Sequence, residues 1–186
     1  MAGTESATET IRVLRRFKIQ DSDFRFPLLA LIVSGGHTEL VKINSWGSYE
    51  ILGETVDDAV GEAFDKVARI LGLPYPGGPA VSKLAKEWRD ANNPPLFHLP
   101  RPMLHSGDYD FSFSGIKTAV LYAVRDLREQ DGVKRELTED EKKALACEFE
   151  NAVIEVLVKK TLNAITEHQV RTVIVGGGVA GNTYLR

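Results

Sequence analysis

The sequence predicts an α/β fold, and three observations support this class. Residues 26–33 (FPLLALIV) are a continuous apolar run of strand length, typical of a strand buried on both faces of a sheet. Residues 137–168 carry apolar residues at helical spacing over a long stretch. Residues 171–176 (RTVIVG) then predict a second buried strand that runs into glycines. We therefore expect a sheet with packed helices.

The composition excludes several classes of protein. The 186 residues are 43% hydrophobic and 26% charged, which is ordinary for a globular protein, and the net charge of -3 gives no global basic signature for nucleic acid. The single cysteine, Cys147, excludes an internal disulfide framework. No apolar run approaches the roughly 20 residues that span a bilayer, and the first residues lack the apolar core of a signal peptide. We expect a cytoplasmic protein with no membrane contact.

Three strands are predicted at the start of the domain. The segment TELVKIN (residues 38–44) alternates after the SGGH turn, and SYEILGET (residues 48–55) fits a third strand. Strands joined by tight turns form an antiparallel meander. Residues 1–10 are expected to form a flexible tail, and the basic residues 11–20 fit either a short helix or a strand.

Four helices are predicted after these strands. The first begins near Asp57, with Gly72 as its C-terminal cap, and the second covers residues 80–91, since LPYPGGP (residues 73–79) cannot continue a helix. The third covers residues 114–130, with Ser114 as its N-cap. The fourth begins at a capping box. That box is Thr138 and Glu141, and the buried face is predicted to contain Leu145, Phe149, Val153, Val156 and Leu157.

Two predicted strands each end in a glycine turn, at residues 31–36 (LIVSGG) and 173–182 (VIVGGGVAGN). Because glycine has no Cβ, the backbone can approach a ligand closely, and successive amides form an anion-binding concavity. A helix N-terminus after the second turn would add its partial positive charge. Either turn alone also fits a plain structural bend, but two of them favour a nucleotide site, with the amide of Asn182 fixing a ring or ribose.

The second turn also satisfies G-x-G-x-x-G through Gly176, Gly178 and Gly181. A dinucleotide-binding interpretation needs a further strand and an acidic residue about 20 positions later, and five residues follow Gly181. The motif is therefore weak evidence for this interpretation.

Acidic residues cluster at the start of the first helix. Asp58, Glu62 and Asp65 share one helix face, and like charges so placed repel, which disfavours a merely solvated face. A carboxylate suits paired ribose hydroxyls because it only accepts hydrogen bonds. A magnesium site is the alternative, and Asp57 or Asp58 also fits an N-cap.

The segment DFSFSGIKT (residues 110–118) interleaves aromatic and hydroxyl side chains before a helix with Lys117 in its first turn. One interpretation is buried aromatic packing with an N-cap. The other is contact with a phosphate or a stacked base.

The four histidines, His37, His98, His105 and His168, form no HxxxH pair, so they predict no metal site at helical spacing. His37 is the one in a ligand-like setting, and His168 is expected at a solvent-facing helix end. A serine hydrolase is disfavoured because no G-x-S-x-G elbow is present. Cys147 is expected to pack in the interior.

Four segments resemble the TsaD family in order and spacing. They are LLALIVSGGHTEL, GETVDDAVGEAFDKVARILGLPYPGGPAVSKLA, DFSFSGIKTAV and VIVGGGVAGN, and the similarity covers about residues 24–186. The resemblance implies the two-lobed actin-like ATPase (sugar kinase, actin and heat-shock) fold. It also implies the activity of this family, formerly called the glycoprotease family, as a tRNA threonylcarbamoyladenosine (t6A) synthase. Such an enzyme transfers threonylcarbamoyl from threonylcarbamoyl-AMP to the N6 of the adenosine beside the anticodon.

Carried over by position, the resemblance implies a set of nucleotide contacts. The phosphate cradle is Ile32, Val33, Ser34, Gly35 and Gly36. Asp65 and Gly78 resemble the ribose and nucleotide contacts, and Asn182 the adenine-side contact. Weaker candidates are His37, Lys117, Gly177 and Gly178.

The resemblance also implies catalytic iron or zinc, held by an HxxxH pair and a later aspartate. The matching positions of the pair hold Glu9 and Val13, and the aspartate would follow residue 186, so we expect no metal ligands here. We expect residues 24–186 to be a C-terminally incomplete second lobe, preceded by a flexible or unrelated segment (residues 1–23), and inactive alone. The implied ligand is threonylcarbamoyl-AMP or ATP.

Several partners are implied by the same resemblance. They are tRNA, a TsaB-type homologue, a TsaE-type ATPase and, in archaea and eukaryotes, kinase-complex subunits. The alternative function is a non-catalytic nucleotide-binding or partner-interaction module.

Overall fold

The computed structural model describes residues 24–129 and 135–186, and the predicted α/β class is confirmed there. The expectations for residues 1–23 lie outside the described residues. The elements in chain order are β1 (Leu28–Val33), β2 (Thr38–Ser45), β3 (Ser48–Glu54), α1 (Val60–Ile70), α2 (Gly77–Asp90), α3 (Ser114–Arg128), α4 (Glu139–Glu167), β4 (Thr172–Gly176) and a short 3₁₀ helix (Gly178–Gly181).

The strands form a mixed sheet in the order β3-β2-β1-β4. The predicted antiparallel meander of β1, β2 and β3 is confirmed, and β4 pairs in parallel with β1. Because β1 and β4 run in the same direction, the two glycine turns that follow them lie at the same edge of the sheet. The predicted burial of β4 is wrong, since Val173 is 42% and Val175 45% exposed on this outer strand of the described sheet.

The sheet packs against the helices through one face. Leu29, Leu31 and Val33 of β1 alternate toward that face and join the main apolar core. Phe64 of α1 and Phe149 of α4 meet edge to face within it, with ring centres 5.0 Å apart. The opposite face carries a second apolar cluster of Leu28, Ala30, Val41 and Ile43.

Helix α1 begins at Val60, not near Asp57 as predicted. Its first amides are held by the end of β1 and the start of β2, because the Val60 amide donates to Thr38 Oγ1 at 2.8 Å and the Gly61 amide donates to the Ser34 carbonyl at 3.0 Å. Side-chain caps usually come from the residue just before the helix. Here the cap comes from a different strand, which local sequence patterns do not reveal.

The carboxylate of Asp57 caps α3 instead. It accepts hydrogen bonds from the amides of Phe113 (2.8 Å) and Ser114 (3.3 Å) and from the hydroxyls of Ser112 and Ser114. Ser114 is thus the first residue of α3, and its prediction as N-cap is wrong.

Helix α2 starts at Gly77, three residues earlier than predicted. Pro79 is tolerated in its first turn because the amide hydrogen it lacks has no intrahelical partner there. The Gly77 amide donates to Asp65 Oδ1 at 2.8 Å. The glycine and proline segment therefore both ends α1 and opens α2.

Helix α4 confirms the capping box of Thr138 and Glu141 and the predicted buried face. The structure adds three buried charged side chains on this helix, Glu148, Glu150 and Lys160, which the apolar periodicity does not predict. Lys160 donates to Ser106 Oγ (2.9 Å) and to the Asp108 carbonyl (3.0 Å). Charged side chains of α4 therefore hold the proline-rich segment before α3.

The remaining predictions concern Cys147, membrane-spanning helices and His168. Cys147 is buried as predicted, and burial raises the pKa of its thiol. No helix within the described ranges is long and apolar enough to cross a membrane. His168 is half-buried at the end of α4, with its ring centre 5.5 Å from that of Tyr109, so its prediction as a solvent-facing residue is only partly correct.

Candidate nucleotide site

A cavity of about 550 Å³ opens beside the two glycine turns. This volume lies within the range of about 300–1,000 Å³ that is usual for small-molecule sites. The predicted site residues that line it are Gly35, Asp65, Gly78 and Asn182, together with the weaker candidate Gly178. Four separate segments of the chain thus converge on one cavity.

The first glycine turn is closed on itself by Ser34. Its Oγ accepts from the amides of His37 (2.9 Å) and Gly36 (3.2 Å), and its own amide donates to the His37 carbonyl at 2.8 Å. The Gly35 amide has no hydrogen-bond partner in the described parts of the chain. This amide is therefore free to donate to an anion in the cavity.

The other residues of the predicted phosphate cradle do not line the cavity. Val33 is fully buried in the main core, and Ile32 packs in the cluster on the opposite face of the sheet. Gly35 is the member of residues 32–36 that lines the cavity. His37 is exposed and does not line it.

Two glycines let the turns approach their neighbours closely. A Cβ on Gly61 would lie 2.7 Å from the Ser34 carbonyl oxygen, and a Cβ on Gly177 would lie 2.2 Å from that of Val33. Gly177 also has φ +102°, a conformation that other residues rarely adopt. The first turn is thus fixed against α1, and the second against the end of β1, by backbone contacts.

Asp65 faces the cavity from α1. Its Oδ1 accepts from the Gly77 amide, whereas Oδ2 has no hydrogen-bond partner among the residues that the structure describes. A free carboxylate oxygen accepts hydrogen bonds from hydroxyls, as the predicted ribose contact requires. Gly78, the second residue of α2, presents an amide that helix geometry leaves without an intrahelical partner.

Asn182 closes the opposite side of the cavity. Its Nδ2 donates to Ser82 Oγ (2.9 Å) and to Glu150 Oε1 (2.7 Å), and its Oδ1 accepts from the amides of Tyr184 (2.8 Å) and Leu185 (3.0 Å). Both amide hydrogens are thus used within the chain. A direct contact of Asn182 with adenine, as predicted, requires one of these bonds to be exchanged.

Ser82 is a cavity residue that the sequence reasoning missed. Because its Oγ accepts from Asn182, its own hydrogen remains to donate to a ligand. Ser82 follows Gly78 by four residues on α2, and this spacing places the two residues on one helix face. The spacing is the feature of the sequence that indicates Ser82 as a site residue.

The acidic cluster of the first helix is divided. Lys66 Nζ lies 2.6 Å from Asp58 Oδ1 and 2.9 Å from Glu62 Oε1, which relieves the repulsion between these carboxylates. Asp65 instead lines the cavity. The predicted shared carboxylate face therefore does not form.

The described residues do not form a site for iron or zinc. Within residues 24–129 and 135–186, no three histidine, cysteine or acidic side chains come together in a group that could hold a metal ion. The magnesium alternative stays a prediction, because magnesium needs only one or two carboxylates together with the phosphates of a nucleotide. Glu9 and Val13 lie outside the described residues.

The DFSFSGIKT segment serves packing. Phe111 and Phe113 are fully buried and stacked, with ring centres 6.2 Å apart, so the base-stacking interpretation is wrong for these two rings. Lys117 does not line the cavity, and its Nζ lies 3.9 Å from Asp58 Oδ2. Its role as a phosphate contact stays a prediction.

The last two glycines of the G-x-G-x-x-G pattern bound a short helix after β4. Residues Gly178–Gly181 form a single 3₁₀ turn. The amides of Gly178 and Val179 have no hydrogen-bond partner within the described residues, and both residues line the cavity. These amides are available to the same ligand as the Gly35 amide.

Comparisons with known proteins identify the family. The family model described as "TsaD: tRNA N6-adenosine threonylcarbamoyltransferase" matches residues 10–186. The curated protein named tRNA N6-adenosine threonylcarbamoyltransferase from Ralstonia pickettii is 56% identical over 161 residues, which cover 87% of this chain and 44% of that protein. The protein of the same name from Chromobacterium violaceum is 52% identical over 168 residues, which cover 90% of this chain and 47% of that protein.

This chain spans about half the length of the curated relatives it matches. The mixed sheet with its packed helices agrees with the actin-like lobe that the resemblance implies. Because the family model matches residues 10–186, which is most of the chain, the chain belongs to the TsaD family.

Proposed function

We propose that the cavity binds the nucleotide portion of threonylcarbamoyl-AMP or ATP, and that the chain serves in the synthesis of t6A in tRNA. The observation that carries this proposal is the convergence of the free Gly35 amide and the free Asp65 oxygen on one cavity. Relatives that share about half of their residues with this chain over the matched region carry the name of this transferase.

Each part of the nucleotide has a suitable partner. The amides of Gly35 and Gly178 donate to the phosphate, and Asp65 Oδ2 accepts from a ribose hydroxyl. We expect the Ser82 hydroxyl to contact the base, and Asn182 to do so when one of its hydrogen bonds within the chain is exchanged. In the transfer, the N6 amine attacks the carbamoyl carbon, the bond from that carbon to the phosphate oxygen breaks, AMP leaves and the amine loses a proton to solvent. Amides that hold the phosphate therefore stabilise the charge of the leaving group.

Iron or zinc chemistry forms no part of this proposal, because the described residues do not form a site for either metal. We propose that the chain contributes nucleotide binding and does not turn over by itself. The resemblance supports tRNA as the substrate and TsaB-type and TsaE-type proteins, or kinase-complex subunits, as partners, in the cytoplasm.

Calorimetric titration with AMP and with ATP tests nucleotide binding. We expect saturable binding by the wild type and at least about tenfold weaker binding by Asp65→Asn, because a hydrogen bond to a charged group contributes roughly 1.5–3 kcal/mol. The Asn side chain can still accept from the Gly77 amide, so the fold should be kept. Asp126→Asn, an equal charge change on the exposed face of α3, should leave the affinity unchanged. No binding by the wild type at millimolar nucleotide would contradict the proposal.

A second candidate function is a non-catalytic nucleotide-binding module. The cavity favours it, since free amides and a free carboxylate oxygen suit a bound nucleotide whether or not transfer follows. An assay of t6A formation with threonylcarbamoyl-AMP, tRNA and added iron or zinc separates the two. Transfer by this chain together with its partner proteins supports the enzyme role, whereas nucleotide binding without transfer supports the module.

A further inference from the structure

Two buried carboxylates lie two positions apart on α4. Glu148 is 7% exposed and Glu150 is 0% exposed. Glu148 accepts from the Leu99 amide at 3.0 Å and pairs with Arg101, so it anchors the irregular segment before α3. Residues at i and i+2 on a helix point in different directions, and Glu150 accordingly has different partners.

Glu150 faces the second glycine turn. It pairs with Arg89 of α2, and its Oε1 accepts from Asn182 Nδ2 at 2.7 Å. Neither Glu150 nor Arg89 lines the cavity in the part of the chain that the structure describes, whereas Asn182 does. An effect of this ion pair on a ligand would therefore pass through Asn182.

We infer that Glu150 is a positioning residue for the nucleotide site: held by Arg89, it fixes the amide of Asn182 and so orders the turn that forms one wall of the cavity. This inference rests on the proposed function and adds to it an ion pair, between a half-buried arginine and a buried carboxylate, that sets nucleotide affinity from outside the cavity.

The side chain of Asn182 is held at both ends. Its Oδ1 accepts from the amides of Tyr184 and Leu185, so rotation of the side-chain amide breaks these bonds as well as the bond to Glu150. Without the Glu150 acceptor, one half-buried amide hydrogen loses its partner within the chain, which weakens the hold on the Asn182 side chain. The segment from Gly178 to Thr183 then loses a hydrogen bond that ties it to α4.

Arg89 also contacts the second glycine turn directly, through Tyr184. Its Cζ lies 3.8 Å from the centre of the Tyr184 ring, which is cation–π geometry, while its Nη1 donates to Asn151 Oδ1 at 3.0 Å. The guanidinium thus contacts both the carboxylate that holds Asn182 and the aromatic ring two residues beyond it.

Three variants of the full chain test this inference. Arg89→Met/Glu150→Leu removes both charges together, because deletion of one partner alone leaves an unpaired buried charge and endangers folding. Glu150→Gln keeps an oxygen that can accept from Asn182. Arg101→Met/Glu148→Leu is the matched control, because Glu148 is buried on the same helix and neither residue of this ion pair lines the cavity.

Two measurements are made on each variant. Calorimetry with AMP should give at least tenfold weaker binding for Arg89→Met/Glu150→Leu, a change within threefold for Glu150→Gln and no change for the control pair. Hydrogen exchange without nucleotide should show faster exchange of the amides of residues 182–185 in Arg89→Met/Glu150→Leu and no change there in the control pair.

The outcomes separate this inference from the proposed function. Unchanged AMP affinity in Arg89→Met/Glu150→Leu, or an equal loss in the control pair, overturns the inference while leaving the nucleotide site in place. Unchanged amide exchange at residues 182–185 also overturns it. If the wild type binds no AMP, the proposed function fails. Hydrogen exchange at residues 182–185 then tests only whether Glu150 orders the second turn.

Discussion

The two glycine turns that flank the cavity are stabilised in opposite ways. The first turn is closed by Ser34, whose hydroxyl accepts from amides two and three residues later. The second turn is held by Asn182, whose partners Glu150 and Ser82 lie 32 and 100 residues earlier in the chain. The side chain that closes the first turn thus has only local partners, whereas the side chain that holds the second turn also has partners far away in the sequence. Substitutions in the second turn should therefore affect a larger part of the structure than substitutions in the first.

The largest expected effect comes from Gly177→Ala. A Cβ there would lie 2.2 Å from the Val33 carbonyl oxygen, in a backbone conformation that is nearly restricted to glycine. We expect a loss of at least about 3 kcal/mol in the free energy of unfolding, measured by urea denaturation followed by circular dichroism. Gly178→Ala is the control, since a Cβ there meets nothing within 4 Å. Equal stability of the two variants would show that β4 does not dock on β1 as described.

Gly61→Ala tests the contact beneath the first turn. Its Cβ would lie 2.7 Å from the Ser34 carbonyl oxygen and 2.9 Å from Gly35 Cα, so backbone must move. We expect a loss of about 2 kcal/mol in the same denaturation measurement, which is typical of overpacking.

Gly78→Ala is the matched control for Gly61→Ala. The added Cβ meets open space on α2, and alanine is the better helix former, so stability should stay within about 1 kcal/mol of the wild type or rise. A large destabilisation by Gly78→Ala, or none by Gly61→Ala, would mean that the first turn is not seated on α1.

The difference between local and long-range hydrogen bonds also explains how much of the fold could be predicted from the sequence. The meander and the capping box of Thr138 and Glu141 depend on neighbours in the sequence, and both predictions are confirmed. The start of α1 and the cap of α3 were predicted wrongly, because Thr38 and Asp57 cap helices to which they are not adjacent. Hydrogen-bond donors and acceptors can be counted in a sequence, but their long-range pairing cannot.

The candidate site divides in the same way. Asp65 and the glycines were identified from local patterns and the family resemblance, and the cavity brings them together. Ser82 and Glu150 were missed, because one looks like an ordinary helix surface serine and the other is a charged residue on an apolar face. Their places follow from the crossing of α2 and α4, which no sequence window contains.

Ser34→Ala should have a smaller and more local effect. Loss of the hydroxyl removes the acceptor for the amides of Gly36 and His37, which are exposed to water in its absence. We expect a loss of about 1 kcal/mol in unfolding free energy. Hydrogen exchange should be faster at Gly36 and His37 and unchanged at residues 182–185. Faster exchange in both turns would show that the two walls are coupled and that the first is not self-contained.

The smallest expected effect depends on pH and concerns the connection between β3 and α1. This connection is attached next to the first turn by the Thr55 amide, which donates to the Thr38 carbonyl at 2.9 Å. Burial raises the pKa of Asp57, but hydrogen bonds from Ser112, Ser114 and the amide of Phe113 lower it more, so that it lies below its ordinary value of 3.8. A carboxyl with a lowered pKa in the folded state stabilises the fold above its unfolded pKa, and this contribution is lost as the pH falls through the folded value.

We therefore expect the free energy of unfolding at pH 7 to be about 0.5–1 kcal/mol higher for the wild type than for Asp57→Asn. The difference is modest because the Asp57 side chain is exposed to solvent. The difference should shrink as the pH is lowered below the ordinary pKa of aspartate, and urea denaturation at a series of pH values measures it. Hydrogen exchange at acid pH should quicken first at Phe113 and Ser114, while residues 182–185 keep their protection. A pH-independent difference between the two proteins would mean that the Asp57 charge does not cap α3. Earlier loss of protection at residues 182–185 would instead make the second turn the acid-sensitive wall of the cavity.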